Sequence, residues 1–353
     1  MKIKIVITGI GNRSLPNQPE SSNWDGWVEQ IHKSNHFELV AAHDTSEVSL
    51  KKIVDRGYLK QENTFKDFSQ MLSETECEAI IISNPNEFHY DTIKIVLNKN
   101  LHILVEKPLV INYSDGLDLI KKINKNNNKV LVAQNWRTKD VGQLLRNYII
   151  KGKLGKVGQI FFRYIRNREN PNYPEYIFME EYPLLYAMGI HHIDLFRYIL
   201  NDEIKSVSAF SFKPPWSLYT SDTGMNLYLR TYSGIIINYV ATLSSLNKII
   251  PQESLIVDGD SGTIMNDSDW SEPPLYFIKR GSNQKIELIN RNDISEVKIQ
   301  YDKSDKLLLD NFFEVINNNQ LPICDAEDAL NSILVLDACR KSFETNQVVT
   351  LEK

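Results

Sequence analysis

Apolar and polar positions follow two different rhythms along this chain of 353 residues. Through the first third, short apolar runs of strand length recur between stretches whose apolar residues lie three and four apart, the spacing of one helical face. Ile3 to Thr8 predicts a buried strand, and Trp24, Trp27, Val28 and Ile31 predict a helical face. Phe37 to Ala42 predicts a second strand, ending at His43-Asp44. Leu50, Ile53 and Val54 predict a helix, and Phe65, Phe68, Met71 and Leu72 another. Ala79 to Ile82 is a short apolar strand that stops at Ser83-Asn84-Pro85-Asn86. A helix over Tyr90 to Leu97, a strand over Leu101 to Val105, a helix over Tyr113 to Ile123 and a strand over Val130 to Ala133 complete the series. Such alternation predicts a doubly wound parallel sheet with right-handed crossovers.

The rhythm changes near Gln134, which predicts two domains, 1–133 and 134–353. A helix over Leu144 to Ile150 is stopped by Gly152. Strand-like runs then come without regular helices between them: Gly158 to Ile165, Ile204 to Phe212, Met225 to Tyr232, Gly234 to Leu243 and Ser254 to Asp258. Polar and glycine turns such as Tyr232-Ser233-Gly234 separate them, so the second domain is expected to be α+β with a large, mostly antiparallel sheet. Leu184 to Leu200 reads as a helix carrying two histidines, and Leu307 to Ile316 and Ala326 to Glu344 as closing helices. Repeats, low-complexity tracts and a flexible linker are not apparent.

Composition narrows the partners. Forty Lys and Arg against 45 Asp and Glu leave a net charge of −5, which argues against a nucleic-acid binder working by bulk charge. Cys77, Cys324 and Cys339 match no zinc or redox spacing, and an odd count suits a reducing compartment. No His, Cys and carboxylate cluster has metal-ligand spacing, so no metal is expected. The apolar run after Met1 is too short for a secretory leader, and Gly-Ile-Gly-Asn-Arg stands where a small-residue cleavage site would be. No run approaches the length of a membrane span. The expectation is a cytoplasmic protein with a small-molecule substrate and neither membrane nor nucleic acid as partner.

Two sequence features carry chemistry. Glu106-Lys107-Pro108 ends an apolar strand with a lysine, placing an ammonium at a strand's carboxyl end, where ligands bind in open α/β sheets. Gly9-Ile10-Gly11-Asn12-Arg13-Ser14 follows the first strand and carries the first two glycines of a dinucleotide fingerprint: one for the tight turn, one for close approach of a pyrophosphate. Ser14 stands in the third place, where glycine allows close helix packing. Pro16 and Pro19 then delay the helix, so its amino terminus is not expected to face the phosphates directly. Asp44, ending the second strand, either accepts hydrogen bonds from an adenosine ribose or caps the following turn. The first role disfavours a 2′-phosphate and so favours NAD. Arg13 reaching a phosphate would work the other way, which keeps NADP open.

Glycine loop, Asp44, Asn84-Pro85-Asn86, Glu106-Lys107-Pro108, Arg137, the Gly152 to Gly155 turn and Gly189-Ile190-His191-His192-Ile193-Asp194 occur in one order. In that order the chain resembles the Gfo/Idh/MocA oxidoreductases over nearly its whole length. The resemblance implies an N-terminal Rossmann domain, a C-terminal α/β domain, and hydride transfer between a nicotinamide and a sugar, polyol or related carbonyl. It implies that Asn84, Pro85, Asn86 and His89 line the cofactor side, that Glu106 and Lys107 lie near the nicotinamide, and that Lys107 holds the reacting oxygen or helps move its proton. Dimers or tetramers are common in the family, and the alternating strands from Met225 to Leu243 are candidates for subunit pairing.

His191 and Asp194 are three apart on one helical face, with His192 turned about 100° away. By resemblance His191 exchanges a proton with the substrate hydroxyl, a task suited to an imidazole with its ordinary pKa of about 6.5. Asp194 either orients it or binds substrate. His192 better fits a structural histidine. The chain departs from the family at Ala187, where many members carry an aspartate four residues before this histidine. Either Lys107 and His191 suffice, or Glu180 or Glu181 substitutes, or redox activity is lost and the protein binds cofactor as a sensor, scaffold or inactive subunit. Arg137 either binds substrate or joins the domains by a salt bridge, and Lys139 is a weaker candidate. Trp216 either stacks on a sugar ring or is a core or interface residue. Tyr173, Tyr176 and Tyr186 offer further hydroxyls.

Overall fold

The computed structural model describes residues 2–18, 22, 24–172, 175–247, 252–266, 274–289 and 297–352, with the backbone alone for 176 and 297–302. The chain forms two compact units. One takes Met1–Lys139 and Glu296–Ile333, the other Asp140–Ser295 and Leu334–Lys353.

The first unit runs β1 (Ile3–Thr8), α1 (Trp27–Lys33), β2 (Phe37–His43), α2 (Glu47–Asp55), β3 (Thr64–Phe65), α3 (Phe68–Glu74), β4 (Ala79–Ile82), α4 (His89–Leu97), β5 (His102–Val105), α5 (Tyr113–Ile123) and β6 (Val130–Val132). The sheet order is β3-β2-β1-β4-β5-β6 and the pairs are parallel. All four residues of β4 are buried, as expected of a strand covered on both faces. Local capping fixes several helix starts: Ser46 accepts the Ser49 N–H, Asp67 that of Gln70, and Asn112 that of Asp115. Two readings of the pattern are corrected. Phe65 belongs to the short strand β3 rather than to the helix after it, and Trp24 precedes α1, which starts only after Gly26.

The second unit contains α6 (Asp140–Ile150), β7 (Val157–Ile165), α7 (Ile190–Leu200), β8 (Ile204–Phe212), β9 (Gly224–Thr231), β10 (Ile236–Thr242), β11 (Glu253–Gly259), β12 (Gly262–Asn266), β13 (Leu275–Lys279) and β14 (Lys285–Ile289). Two long helices close the chain, α8 (Val297–Asn318) and α9 (Ala326–Thr345), before β15 (Val349–Thr350). The sheet order is β14-β13-β12-β11-β7-β10-β9-β8-β15. Among the described pairs only β7 and β10 run parallel, which makes the sheet mostly antiparallel. The pattern had not marked β12 to β15, which are short or weakly alternating. From Met225 to Thr231 in β9 burial alternates residue by residue, so one sheet face is covered and the other open. Phe161, Phe210, Phe212, Tyr228 and Val240 are the large apolar and aromatic groups left on the open face, each 40% exposed or more.

Sequence rhythm alone puts the division near residue 133. The packing of α8 adds a distant segment to the first unit. Leu308, Leu309 and Phe312 of α8 enter one core with Trp27, Ile31 and Phe37. The Phe312 and Phe37 rings stack with centroids 5.9 Å apart. Phe312 is fully buried, so Phe312→Ala is expected to cost about 3–5 kcal/mol. Denaturant unfolding of the full chain checks this, and a loss below about 1 kcal/mol would show that α8 contributes little to the unit.

Candidate active site

In the first sheet the strand order reverses between β1 and β4, and a ligand crevice forms outside the carboxyl ends at such a switch point. Gly9 leaves β1 there with φ +87°, a conformation that a side chain opposes. A Cβ on Gly9 would lie 2.4 Å from the Asn84 backbone nitrogen and 2.5 Å from the Ser83 carbonyl, so this glycine lets β1 press against the end of β4. Gly11 is the opposite case. Nothing lies within 4 Å of where its Cβ would be, which leaves room for a phosphate group against the backbone. Asp44 joins the same loop: its Oδ2 accepts the Ile10 N–H at 2.6 Å and its Oδ1 that of Ser46 at 2.8 Å. It therefore caps the turn after β2 and fixes the glycine loop at once.

The third glycine of the fingerprint has moved. Ser14 is buried, and its hydroxyl donates to the Gly9 carbonyl at 2.7 Å. The close approach is made by Gly26, where a Cβ would lie 2.4 Å from the Ser14 carbonyl oxygen. That oxygen accepts the Val28 N–H of α1 at 3.0 Å. A glycine directly before an apolar helical face was the available signal. The extra segment between loop and helix is pinned by α2 and its C-cap. Lys52 Nζ donates to the Leu15 carbonyl at 2.7 Å and to Asn17 Oδ1 at 2.9 Å, while Arg56 donates to the Pro16 and Asn17 carbonyls. Asn12 holds the same segment, its Oδ1 accepting the Asn17 N–H at 3.0 Å.

Arg13 is not where a phosphate ligand would be expected. Its Nε lies 2.7 Å from Glu106 Oε1, and its terminal nitrogens form a fork on Asp305 at 2.7 and 2.6 Å. Trp27 Nε1 donates to the same Glu106 oxygen at 2.8 Å, and the guanidinium lies 4.8 Å from the Trp27 ring centre. The two carboxylates hold the Arg13 pKa above its ordinary value, whereas burial pushes the Asp305 carboxyl up against the pull of Arg13. Lys107 is half-buried and follows directly on Glu106. Asn84 donates to Thr92 at 2.9 Å, whereas Pro85 and Asn86 are exposed at the turn. His89 is fully buried, its ring nitrogens 2.8 Å from the Pro108 carbonyl and 3.0 Å from that of Asn84. It ties two strand ends together rather than facing the crevice. Arg137 is likewise buried. It donates to the Ile323 carbonyl at 2.9 Å and pairs with Asp328, a partner inside its own unit. Lys139 is buried over the Trp136 ring.

In the second unit, helix α7 presents His191, which is 8% exposed. His192 is fully buried among Phe162, Tyr164 and Tyr239 and hydrogen-bonds the Tyr239 hydroxyl, as fits a structural histidine. Asp194 is fully buried 3.7 Å from Arg197, which is held in turn by Glu203. The turn before α7, Leu185–Gly189, is π-helical, a form that recurs at functional sites. Ala187 lies exposed within it. Glu180 and Glu181 are exposed. Burial pushes the Tyr186 hydroxyl up to about 12. Trp216 is half exposed, and its Nε1 donates to the Ser244 carbonyl at 2.7 Å. It lines an open cavity of about 620 Å³ with Ile165, Phe212, Pro215 and Leu246. Tyr173 lies outside the described residues, as does the Tyr176 side chain.

A parallel sheet with a glycine loop and an acid at its switch point, beside a unit built on a mostly antiparallel sheet, defines a two-part dinucleotide-dependent oxidoreductase architecture. Residues 3–134 match the Gfo/Idh/MocA description "oxidoreductase family, NAD-binding Rossmann fold", and residues 146–351 match "oxidoreductase family, C-terminal alpha/beta domain". The chain belongs to the Gfo/Idh/MocA oxidoreductase family, and its first unit is that family's NAD-binding domain. It is 27% identical over 236 residues to an inositol 2-dehydrogenase of Salmonella typhimurium. That match covers 67% of this chain and 66% of the relative, just under two thirds of the relative's length. In fold the chain is similar to an Agrobacterium radiobacter oxidoreductase solved with NAD+, L-tartaric acid and magnesium, with TM-score 0.84 and 15% identity over 99% of this chain and 98% of that one. It is also similar to the WlbA dehydrogenase of Bordetella pertussis solved with NADH and UDP-GlcNAcA, with TM-score 0.79 and 16% identity over 100% of both chains.

Two outcomes follow from this geometry. Gly9→Ala is expected to weaken NAD binding at least about tenfold, a cost of about 1.4 kcal/mol, because the methyl meets the backbone at the end of β4. Calorimetric titration with NAD checks it, and an unchanged dissociation constant would contradict the close packing. Burial pushes His43 and His102 below the ordinary imidazole value, so between the folded pKa values and about 6.5 the unfolded chain binds more protons. The contribution is complete above about pH 6.5 and is lost as pH falls through the folded values. Melting temperatures measured from pH 7.5 down to 5.5 are expected to decrease, and a rise on acidification would contradict this.

Proposed function

We propose that this chain is an NAD-dependent dehydrogenase or reductase acting on a CH–OH group of a sugar, inositol or sugar derivative. The observation that carries the reading is the order of strand ends. Adjacent strands β1, β4 and β5 end at Gly9–Gly11, Asn84–Asn86 and Glu106–Lys107, so one end of the sheet carries open space at Gly11 and a half-buried lysine. The family's curated sugar-alcohol relative supports the substrate class. NAD, held by the Gly9–Gly11 loop and Asp44, supplies a two-electron hydride acceptor at its nicotinamide ring. As the substrate carbon gives up its hydride, the hydroxyl proton must leave. Lys107 donates a hydrogen bond to the hydroxyl oxygen and stabilises its developing negative charge. By the family resemblance, His191 is the second candidate for exchanging that proton.

A second reading is favoured by one observation: an exposed alanine at 187, where many family members place a carboxylate. In that reading the chain binds NAD as a sensor, scaffold or inactive subunit. Absorbance at 340 nm, followed with NAD and a panel of polyols and sugars, separates the two. NAD binding with no turnover across a broad panel favours the second. Under the first reading, Lys107→Ala lowers turnover by about a hundredfold or more, as for loss of an acid–base group, while leaving NAD affinity largely intact. Wild-type turnover in that variant would sink the role of Lys107.

We further propose a homodimer that pairs the open sheet faces, on which Phe161, Phe210, Tyr228 and Val240 stand exposed. Sedimentation of the wild-type chain is expected to give a dimer and that of Val240→Glu a monomer; equal mass for both would exclude this face. A cytoplasmic location is supported by three free thiols, two of them buried. Among the described residues no helix is long and apolar enough to cross a membrane.

A further inference from the structure

Lys107 stands between two residues that are each held by distant segments of the first unit. Before it, Glu106 Oε1 takes Arg13 Nε at 2.7 Å and the Trp27 indole N–H at 2.8 Å. Glu106 Oε2 lies 3.3 Å from the backbone nitrogen of Lys107 itself. After it, the Pro108 carbonyl meets the His89 ring at 2.8 Å. Arg13 belongs to the glycine loop, and Asp305 on α8 holds both of its terminal nitrogens. A planar guanidinium can serve the two carboxylates together in one fixed orientation, which a lysine cannot. The charged groups around this point are Arg13, Lys107 and Lys139 against Glu106 and Asp305, with His89 near Glu106 and Glu87.

We propose that Arg13 is a positioning residue that couples occupancy of the glycine loop to the placement of Lys107. A phosphate group against Gly11 adds contacts to a loop that Asp44 and Ser14 already hold, and narrows the freedom of Arg13 further. Arg13, fixed by Asp305, passes that constraint to Glu106 and so to the next residue. The inference rests on the reading of Lys107 as the group that meets the substrate hydroxyl, but its physical content is testable without substrate.

The probe is ADP-ribose, which carries the pyrophosphate and lacks the nicotinamide. The readout is the rate at which trinitrobenzenesulfonate labels Lys107 in the full chain, followed by peptide mass spectrometry. Saturating ADP-ribose is expected to slow labelling of the wild-type lysine about fivefold or more, a typical coupling between sites. R13K, which keeps the charge but not the fork, and R13Q/D305N, which removes one charge of each sign, are expected to bind ADP-ribose and lose the effect. Melting temperatures provide the control. Each single variant lowers the midpoint, R13Q by stranding two buried carboxylates and D305N by leaving a partly buried guanidinium short of a partner, and the double variant recovers part of it. A purely structural Arg13 predicts that the ADP-ribose effect returns with the melting temperature in the double variant, or persists in R13K. Either result overturns the proposal, as does an absent effect in the wild-type chain. Failure of the underlying reading is separate, since K107A with wild-type turnover removes the catalytic meaning while the labelling still reports the coupling.

Discussion

A partly buried guanidinium shared between two buried carboxylates is the constraint on which the nucleotide-binding unit depends. Arg13 comes from the loop after β1, Glu106 from the end of β5, and Asp305 from a helix almost three hundred residues away in sequence. Burying one such charge alone is costly, so the three groups are stable only together. Their requirement for one another fixes the relative positions of a glycine loop, a strand end and α8. Trp27 strengthens the arrangement by covering the guanidinium and donating to Glu106. Polar groups here specify geometry, and the apolar contacts of α8 with α1 and β2 supply the burial that holds it.

Backbone proximity does the rest. Gly9 allows β1 to meet the end of β4, and Gly26 allows α1 to meet Ser14. These approaches leave Gly11 facing open space, the condition a pyrophosphate needs. The segment between Ser14 and α1 therefore leaves the open space at Gly11 in place. The close-packing glycine stands at the start of the helix, and Lys52 and Arg56 secure the segment.

The second unit shows how two adjacent histidines acquire different meanings. His192 is enclosed by aromatic rings and bonded to Tyr239, which anchors α7 to the sheet. His191, one residue earlier, is left at the helix edge with slight exposure. Asp194 shares the face of His191 by spacing, yet it is buried against Arg197. Ala187 lies exposed in the π-helical turn that leads into α7.

The sequence alone determined the alternation of strands and helices in the first unit, the glycine turn after β1, the acid after β2 and the lysine after β5. All of these are local: strand runs, φ-permissive glycines and proline stops act within a few residues. It also separated His191 from His192 by helical angle. It did not determine that Asp44 would hold the Ile10 backbone, that Arg13 would turn inward to Glu106 and Asp305, that His89 would join two strand ends, or that Arg137 would pair with Asp328. Each of those outcomes depends on which charged partner a fold brings within reach, and charge carries no periodicity to announce its partner. The same limit explains why α8 read as a helix but not as part of the nucleotide-binding unit. Only packing against Trp27 and Phe37 decides where a distant apolar face is buried.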